Sequence, residues 1–263
     1  MNAIEQLNAD DLAGALASVK QTIRSQPTNN EARGLLAQLF CFEQDWKRAD
    51  QQFDLLGQQN SEMLVGTKLL RQFVRGEMAR QQFFDEGRMP ELVGEPDAVT
   101  TAVLDGLISM REGNDDAASE KLKTVHQHAE SYRGTVNGQP FIGGRDLDDV
   151  VSGFFEVLTT NGKFYWVPMD KVINLQFRAY ERLQDRIWRS ATILVSGFDT
   201  EGEVYFPVCY CCDPAVWSTA ANDSIKLGRS TDWYAATDQA PVRGMGQKMY
   251  LFGEQEYSIM ELE

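Results

Sequence analysis

Three short segments carry residues whose types and spacing could do chemistry. In "PVCYCCDP", Cys209, Cys211 and Cys212 crowd together, and closely spaced thiolates bind soft metals or act as nucleophiles. In "GRDLDD", Asp146, Asp148 and Asp149 supply the oxygen ligands that hard cations take. In "VRGMGQKMYLFG", Val242 to Gly253, two glycines one residue apart precede a lysine, as in loops that cradle phosphate.

Each has a plainer reading. A zinc site draws on two ligand pairs at set spacings, and the cysteine cluster has no second pair. If the segment is extended, Cys209 and Cys211 face one side and Cys212 the other, so buried, unpaired thiols are expected. His126 and His128 are two apart on a helix, point about 200° apart, and cannot chelate together. No calcium-loop spacing surrounds Asp146, Asp148 and Asp149, which are expected to face solvent or cap a helix. The Walker spacing G-x-x-x-x-G-K-[ST] is absent. After Gly246 the chain is rich in aromatic and branched residues and is interrupted at Gly253, which predicts two short strands, with the glycines permitting a turn or a bulge. Arg243 and Gln247 are then expected as surface contacts.

A Ser/His/Asp triad would have to borrow His126 or His128 from a helical region, and no G-x-S-x-G elbow is present. The expectation is a protein that is not an enzyme, with no catalytic residue, no metal and no cofactor. The alternative is an enzyme with an unrecognised site in the β-rich region, metal-dependent through Asp146, Asp148, Asp149 or the cysteines.

The elements that must position these residues change character along the chain. Asp11 to Pro27 and Asp45 to Ser61 align at a step of 34 residues, with Leu12 on Trp46, Ala15 on Ala49 and Val19 on Phe53. A drifted third copy contains Ala118. Large–small–large spacing marks the second helix of a tetratricopeptide-like repeat, the small residue letting two helices approach closely. One long helix is predicted over Glu62 to Phe84, with Val65, Leu69, Leu70 and Phe73 on its apolar side and Lys68, Arg71 and Arg75 opposite. A further helix pair is predicted from Asp97 to Ala129.

After about Glu130 the texture turns to β. "SYRGTVNGQPFIGGRDLDD" reads as a linker or the entry to a new domain. Asn161-Gly162 between two apolar runs predicts a hairpin, and another turns at Asp199 to Gly202. Val172 to Phe177 and Met249 to Phe252 are further strands, with Trp188, Trp217 and Trp233 expected in the core. The fold class is therefore α+β with two domains. Tetratricopeptide-like helical repeats fill residues 1–130, and a small antiparallel β-rich domain, sheet or barrel, fills 131–263.

At 263 residues and 29.7 kDa the chain can bury one large core or two smaller ones. A net charge of −14 argues against nucleic acid and anionic membrane as partners. No apolar run approaches the ~18–20 residues that cross a bilayer, and the N-terminus lacks a signal peptide's basic and apolar segments, so a soluble cytoplasmic protein is expected.

"EVLTTNGKFYWVPMDKV", "DRIWRSATILVSGFDTEGEVYFPVCY", "LGRSTDWY" and "PVRGMGQKMYLF" together resemble the ImpE family, the SciE-type or TagJ accessory proteins of bacterial type VI secretion. The cysteine cluster after Pro207 departs from the ordinary loop expected there. The resemblance implies a non-enzymatic bacterial adaptor that binds the N-terminal helix of the small sheath subunit. It also implies an indirect influence on how the disassembly ATPase ClpV engages the sheath. Laying the repeat frame over the chain puts Phe40 and Gln44 on one first helix and Arg71 and Arg75 on the next, the surface expected to dock that partner helix.

Overall fold

A computed structural model describes residues 2–263. The first half runs α1 (Ala3–Asn8), α2 (Leu12–Ser25), α3 (Asn30–Phe42), α4 (Trp46–Gln59), α5 (Leu64–Glu86), a two-residue strand β1 (Glu91–Leu92), α6 (Ala98–Arg111) and α7 (Asp115–Ala129). The hairpins α1–α2, α3–α4 and α6–α7 turn in one way. Asp10, Gln44 and Gly113 take left-handed φ of 56°, 54° and 73°. The next residue in each, Asp11, Asp45 or Asn114, caps the second helix by accepting the backbone N–H three positions on. Its own N–H returns to the carbonyl of Gln6, Phe40 or Ser109. Ala15, Ala49 and Ala118 are fully buried, so the small residue of the repeat does mark the close helix contact in all three copies.

The second half runs β2 (Arg133–Val136), β3 (Gln139–Ile142), β4 (Gly144–Asp146), β5 (Phe154–Leu158), β6 (Phe164–Pro168), β7 (Val172–Phe177), β8 (Trp188–Val195), β9 (Gly202–Pro207), α8 (Pro214–Ala220), α9 (Asp223–Lys226), β10 (Thr231–Tyr234), β11 (Arg243–Gly246), β12 (Met249–Phe252) and β13 (Gln255–Ser258). Six strands form one sheet in the order β1-β6-β5-β9-β8-β7, and three form another in the order β13-β12-β4. Two-stranded ribbons β2-β3 and β10-β11 complete the set, and among the described residues no sheet closes into a barrel. The pairing is antiparallel except where β1 joins β6 in parallel.

Asn161-Gly162 does turn the β5–β6 hairpin, with Leu158 opposite Phe164. Of the two residues only Gly162 has positive φ, at 80°. The segment expected as a linker is instead the β2–β3 hairpin followed by β4. There Asn137 and Gly138 are both left-handed, with φ of 47° and 76°, the primed turn that matches strand twist.

Strand β5 is buried on both faces. Phe154 stacks on Trp166, which meets Phe83 of α5 at 4.6 Å between ring centres. Phe155 points the other way, onto Phe206 and Tyr250. The largest apolar core therefore contains Phe53 and Phe73 from the helices together with Phe154 and Trp188 from the sheet. Position 130 falls between α7 and β2, but this core and strand β1 cross it. Trp188 and Trp217 are buried, whereas Trp233 is 37% exposed and lies outside the core. Val65, expected on the apolar side of α5, is 79% exposed.

Candidate functional site

Helix α5 carries Glu77 and Arg80 one turn apart, and both are buried where the helix crosses the sheet. The Arg80 guanidinium donates to Glu156 on β5 through Nε at 3.0 Å and Nη2 at 2.7 Å. Its Nη1 reaches Glu77 at 3.2 Å and the Cys209 carbonyl at 3.1 Å. The other Glu77 oxygen accepts the Trp188 indole N–H at 3.0 Å. Lys248, fully buried, bridges Glu156 at 2.9 Å and Asp146 at 3.1 Å. Tyr210 donates its hydroxyl to Asp146 at 2.7 Å. Beside this chain of charges, Arg243 grips Asp148 through Nε at 2.8 Å and donates to the Cys211 carbonyl at 3.3 Å.

Burial sets the protonation of these acids, and the cations counter it. Burial pushes Asp146 up to about 6 despite Lys248. It pushes Glu156 upward too, but Arg80 and Lys248 outweigh it and hold that carboxyl at about 2. Burial also raises Glu77. The arrangement ties two halves of the molecule together with charge-assisted hydrogen bonds.

Several expectations are corrected here. Asp146 and Asp148 are not solvent-facing; both are completely buried with Lys248 and Arg243 as partners. Arg243 is not a surface contact, and Gln247 is half-buried, bridged to Cys209 by backbone pairing. The carboxylates that might have held a cation spend their oxygens on these ion pairs and on backbone N–H groups. Asp149 accepts the Val242 N–H at 2.8 Å and sits 3.3 Å from His126. Among the described residues no group of three His, Cys, Asp or Glu side chains converges as metal ligands.

The glycines of "VRGMGQK" are explained by close approach. A Cβ on Gly244 would lie 2.3 Å from the Tyr210 ring. Gly246 has φ of 90°, and a Cβ there would lie 2.3 Å from the Ser230 carbonyl. The following lysine, Lys248, is buried in its ion pairs. The two short strands expected here are β12 and β13, turning at Gly253.

All four cysteines are free. Burial pushes the Cys209 thiol up to about 12 and Cys212 to about 11, and raises Cys211 and Cys41 as well. The carbonyls of this segment accept from both halves of the chain. Those of Cys209 and Cys211 receive Arg80 and Arg243, and that of Tyr210 accepts the Gln44 amide at 3.1 Å.

That last bond shows where the four expected docking residues lie. Phe40 is 4% exposed, beneath Arg48 at 4.5 Å and Lys20 at 5.7 Å from its ring centre. Gln44 faces the second half. Arg71 is half-buried and pairs with Asp50 at 2.7 Å and with Asp54, both on α4. Arg75 is exposed, with only Gln72 at 3.3 Å. The four do not form one open face. The tight turns of the repeat are instead fastened to the segment from Tyr210 to Gln239. Arg229 pairs with Asp10, Lys226 with Glu43 at 3.0 Å, and Thr237 donates to Asp115 at 2.7 Å. At the α4–α5 elbow, Leu55, Met63, Leu64 and Val65 are exposed. Exposed Lys68 and Arg75 follow along α5.

Comparison with known proteins gives three findings. Residues 138–263 match the family model described as ImpE protein. Over 263 residues the chain is 27% identical to the type VI secretion system accessory component TagJ of Pseudomonas aeruginosa, covering 100% of this chain and 89% of that one. A crystal structure of a protein from Vibrio parahaemolyticus superposes with a TM-score of 0.89 at 27% identity, covering 99% of this chain and 95% of that chain.

Proposed function

Residues 138–263 match the ImpE family model and the whole chain is similar to TagJ, and from that likeness we propose that it is a non-enzymatic accessory component of a bacterial type VI secretion system. It works in the cytoplasm as an adaptor that binds the N-terminal helix of the small sheath subunit. Through that contact it modulates how ClpV engages the sheath.

The observation that carries this reading is similarity to an accessory component along the whole chain, helices and sheets alike. The α4–α5 elbow supplies a fitting surface. Leu55, Met63, Leu64 and Val65 offer apolar anchors, exposed Arg75 offers a cationic group that fixes the register of a bound helix, and Arg71, paired with Asp50 and Asp54, braces α5 against α4 beneath it. Phe40 and Gln44 contribute from behind, by packing under Arg48 and by holding the neighbouring turn against Tyr210. The test is co-purification with the small sheath subunit from the same bacterium. Wild-type protein should retain the subunit. Val65→Asp with Arg75→Glu, both at exposed positions, should release it while the circular dichroism stays unchanged.

A further inference from the structure

The six-stranded sheet ends on β7, and among the described residues nothing pairs with the outer edge of that strand. Facing it across a cleft of about 840 Å³ is β2, which among the described residues pairs with β3 alone. We propose that this cleft binds an extended peptide segment of another protein, which pairs as an added strand along β7.

Main-chain register identifies the free groups. Arg178 donates its N–H to the Ser190 carbonyl, and the ladder keeps that register through Phe177, opposite Ala191, to Asn174, opposite Leu194. Antiparallel pairs alternate between bonded and non-bonded. Gln176 and Asn174 therefore turn their N–H and C=O groups toward β8, while Leu175 and Phe177 turn theirs outward. The same count applies on the other wall. Gly143 donates to the Tyr132 carbonyl, and the two-residue turn at Asn137-Gly138 makes Val136 and Gln139 a bonded pair. Arg133 and Thr135 thus present unpaired main-chain groups on β2. Pro140, which has no N–H to give, stands opposite Thr135 where none is needed.

Between these two edges the floor is apolar and aromatic, with Phe155, Phe177, Phe252 and Met169. It is the uncovered end of the second core. Ile173 and Ile142 stand 64% and 62% exposed on β7 and β3. Asn137 closes one end by bonding the Glu261 carbonyl at 2.8 Å and the Glu263 N–H at 3.0 Å. The ionisable groups at the walls are His128, Arg133, Asp170 and Glu263. Recognition falls to the main chain and to apolar side chains at every second position. A strand rises ~3.3 Å per residue, so about six residues lie alongside β7. Added-strand binding of this kind takes affinity from main-chain bonds and specificity from alternate side chains.

Biotinylated full-length protein is panned with a random dodecapeptide library displayed on phage. Enriched peptides should carry apolar residues two apart. In amide hydrogen exchange of the wild-type protein, a synthetic copy of such a peptide should protect Leu175 and Phe177. Leu175→Pro deletes an outward N–H without touching the β8 ladder, and should weaken that peptide at least tenfold. If that variant does not fold, Thr135→Pro on the opposite wall takes its place. The proposal is overturned if no peptide is enriched, if the enriched peptides show helical spacing, or if the amides of β7 stay unprotected. A concentration-dependent dimer that Leu175→Pro dissolves would also overturn it, by assigning the edge to a second copy of this chain.

Discussion

Arg80 on a helix and Glu156 on a strand, 76 positions apart, share two hydrogen bonds of 3.0 Å and 2.7 Å in the interior. Around them Glu77, Lys248, Asp146 and Tyr210 extend the chain of contacts from the helical half through the six-stranded sheet to the last strands. Once one ion of such a pair is removed, the other is left without compensation in the interior. Glu156→Gln should therefore cost about 3–5 kcal/mol of unfolding free energy, measured by urea denaturation at neutral pH. Because the core is shared, a single cooperative transition should be lost in both halves together.

The same groups give the stability a pH dependence of known sign. Asp146, pushed by burial from an ordinary 3.8 to about 6, holds its proton more tightly in the folded state. Its contribution is full below about pH 4 and is lost as pH rises through about 6. Glu156, held at about 2 by Arg80 and Lys248 against the effect of burial, contributes above its ordinary 4.5 and loses that contribution as pH falls toward 2. The unfolding free energy of wild type minus that of Asp146→Asn should fall by about 2–3 kcal/mol between about pH 4 and pH 7. A flat difference would mean that Asp146 titrates normally.

Gly246 should accept no side chain. Its φ of 90° and the Ser230 carbonyl 2.3 Å from a built Cβ combine strain with overlap. Gly246→Ala should lower the stability by about 1–3 kcal/mol, whereas adenosine triphosphate should leave the melting temperature of the wild type unchanged.

The thiols should be chemically silent. With Cys41, Cys211 and Cys212 buried and every thiol pushed up by desolvation, Ellman's reagent at neutral pH should label less than one thiol per native chain. All four should react in guanidinium. Changing Cys209, Cys211 and Cys212 together to Ala should leave binding of the sheath subunit intact.

The helical repeat was legible because its signal is local and recurs. One small residue and one capping acid or amide return at each turn, and Ala15, Ala49 and Ala118 do the same work. The hairpin at Asn161-Gly162 was legible for the same reason. The identical dipeptide at Asn137-Gly138 reads only as a linker or the entry to a new domain, because the flanking "RGTV" and "QPFI" are short and weakly apolar. That left out the strand forming one wall of the proposed peptide cleft. Least legible was the buried polar network. Glu77, Arg80, Glu156 and Lys248 look like surface residues in the chain, since nothing local shows that a charge has its partner 76 or more positions away. The one available signal was that Glu77 and Arg80 lie one turn apart among the apolar residues Phe73, Val74, Ala79 and Phe83. Phe40 lies on the predicted helix but is packed beneath Arg48 and Lys20, whereas Gln44 falls in the left-handed turn after that helix and bonds to Tyr210, which a repeat frame cannot foresee.

An adaptor for the small sheath subunit, which we propose this chain to be, must bind that subunit's N-terminal helix. Isothermal titration of the full-length protein with a synthetic peptide of that subunit's N-terminal helix tests it most directly. Saturable one-to-one binding is expected, weakened at least tenfold in Arg75→Glu and unchanged in Lys20→Glu, a contrast of about 1.4 kcal/mol or more. Absence of binding by a folded wild-type protein, to the peptide and to the intact subunit alike, would contradict it.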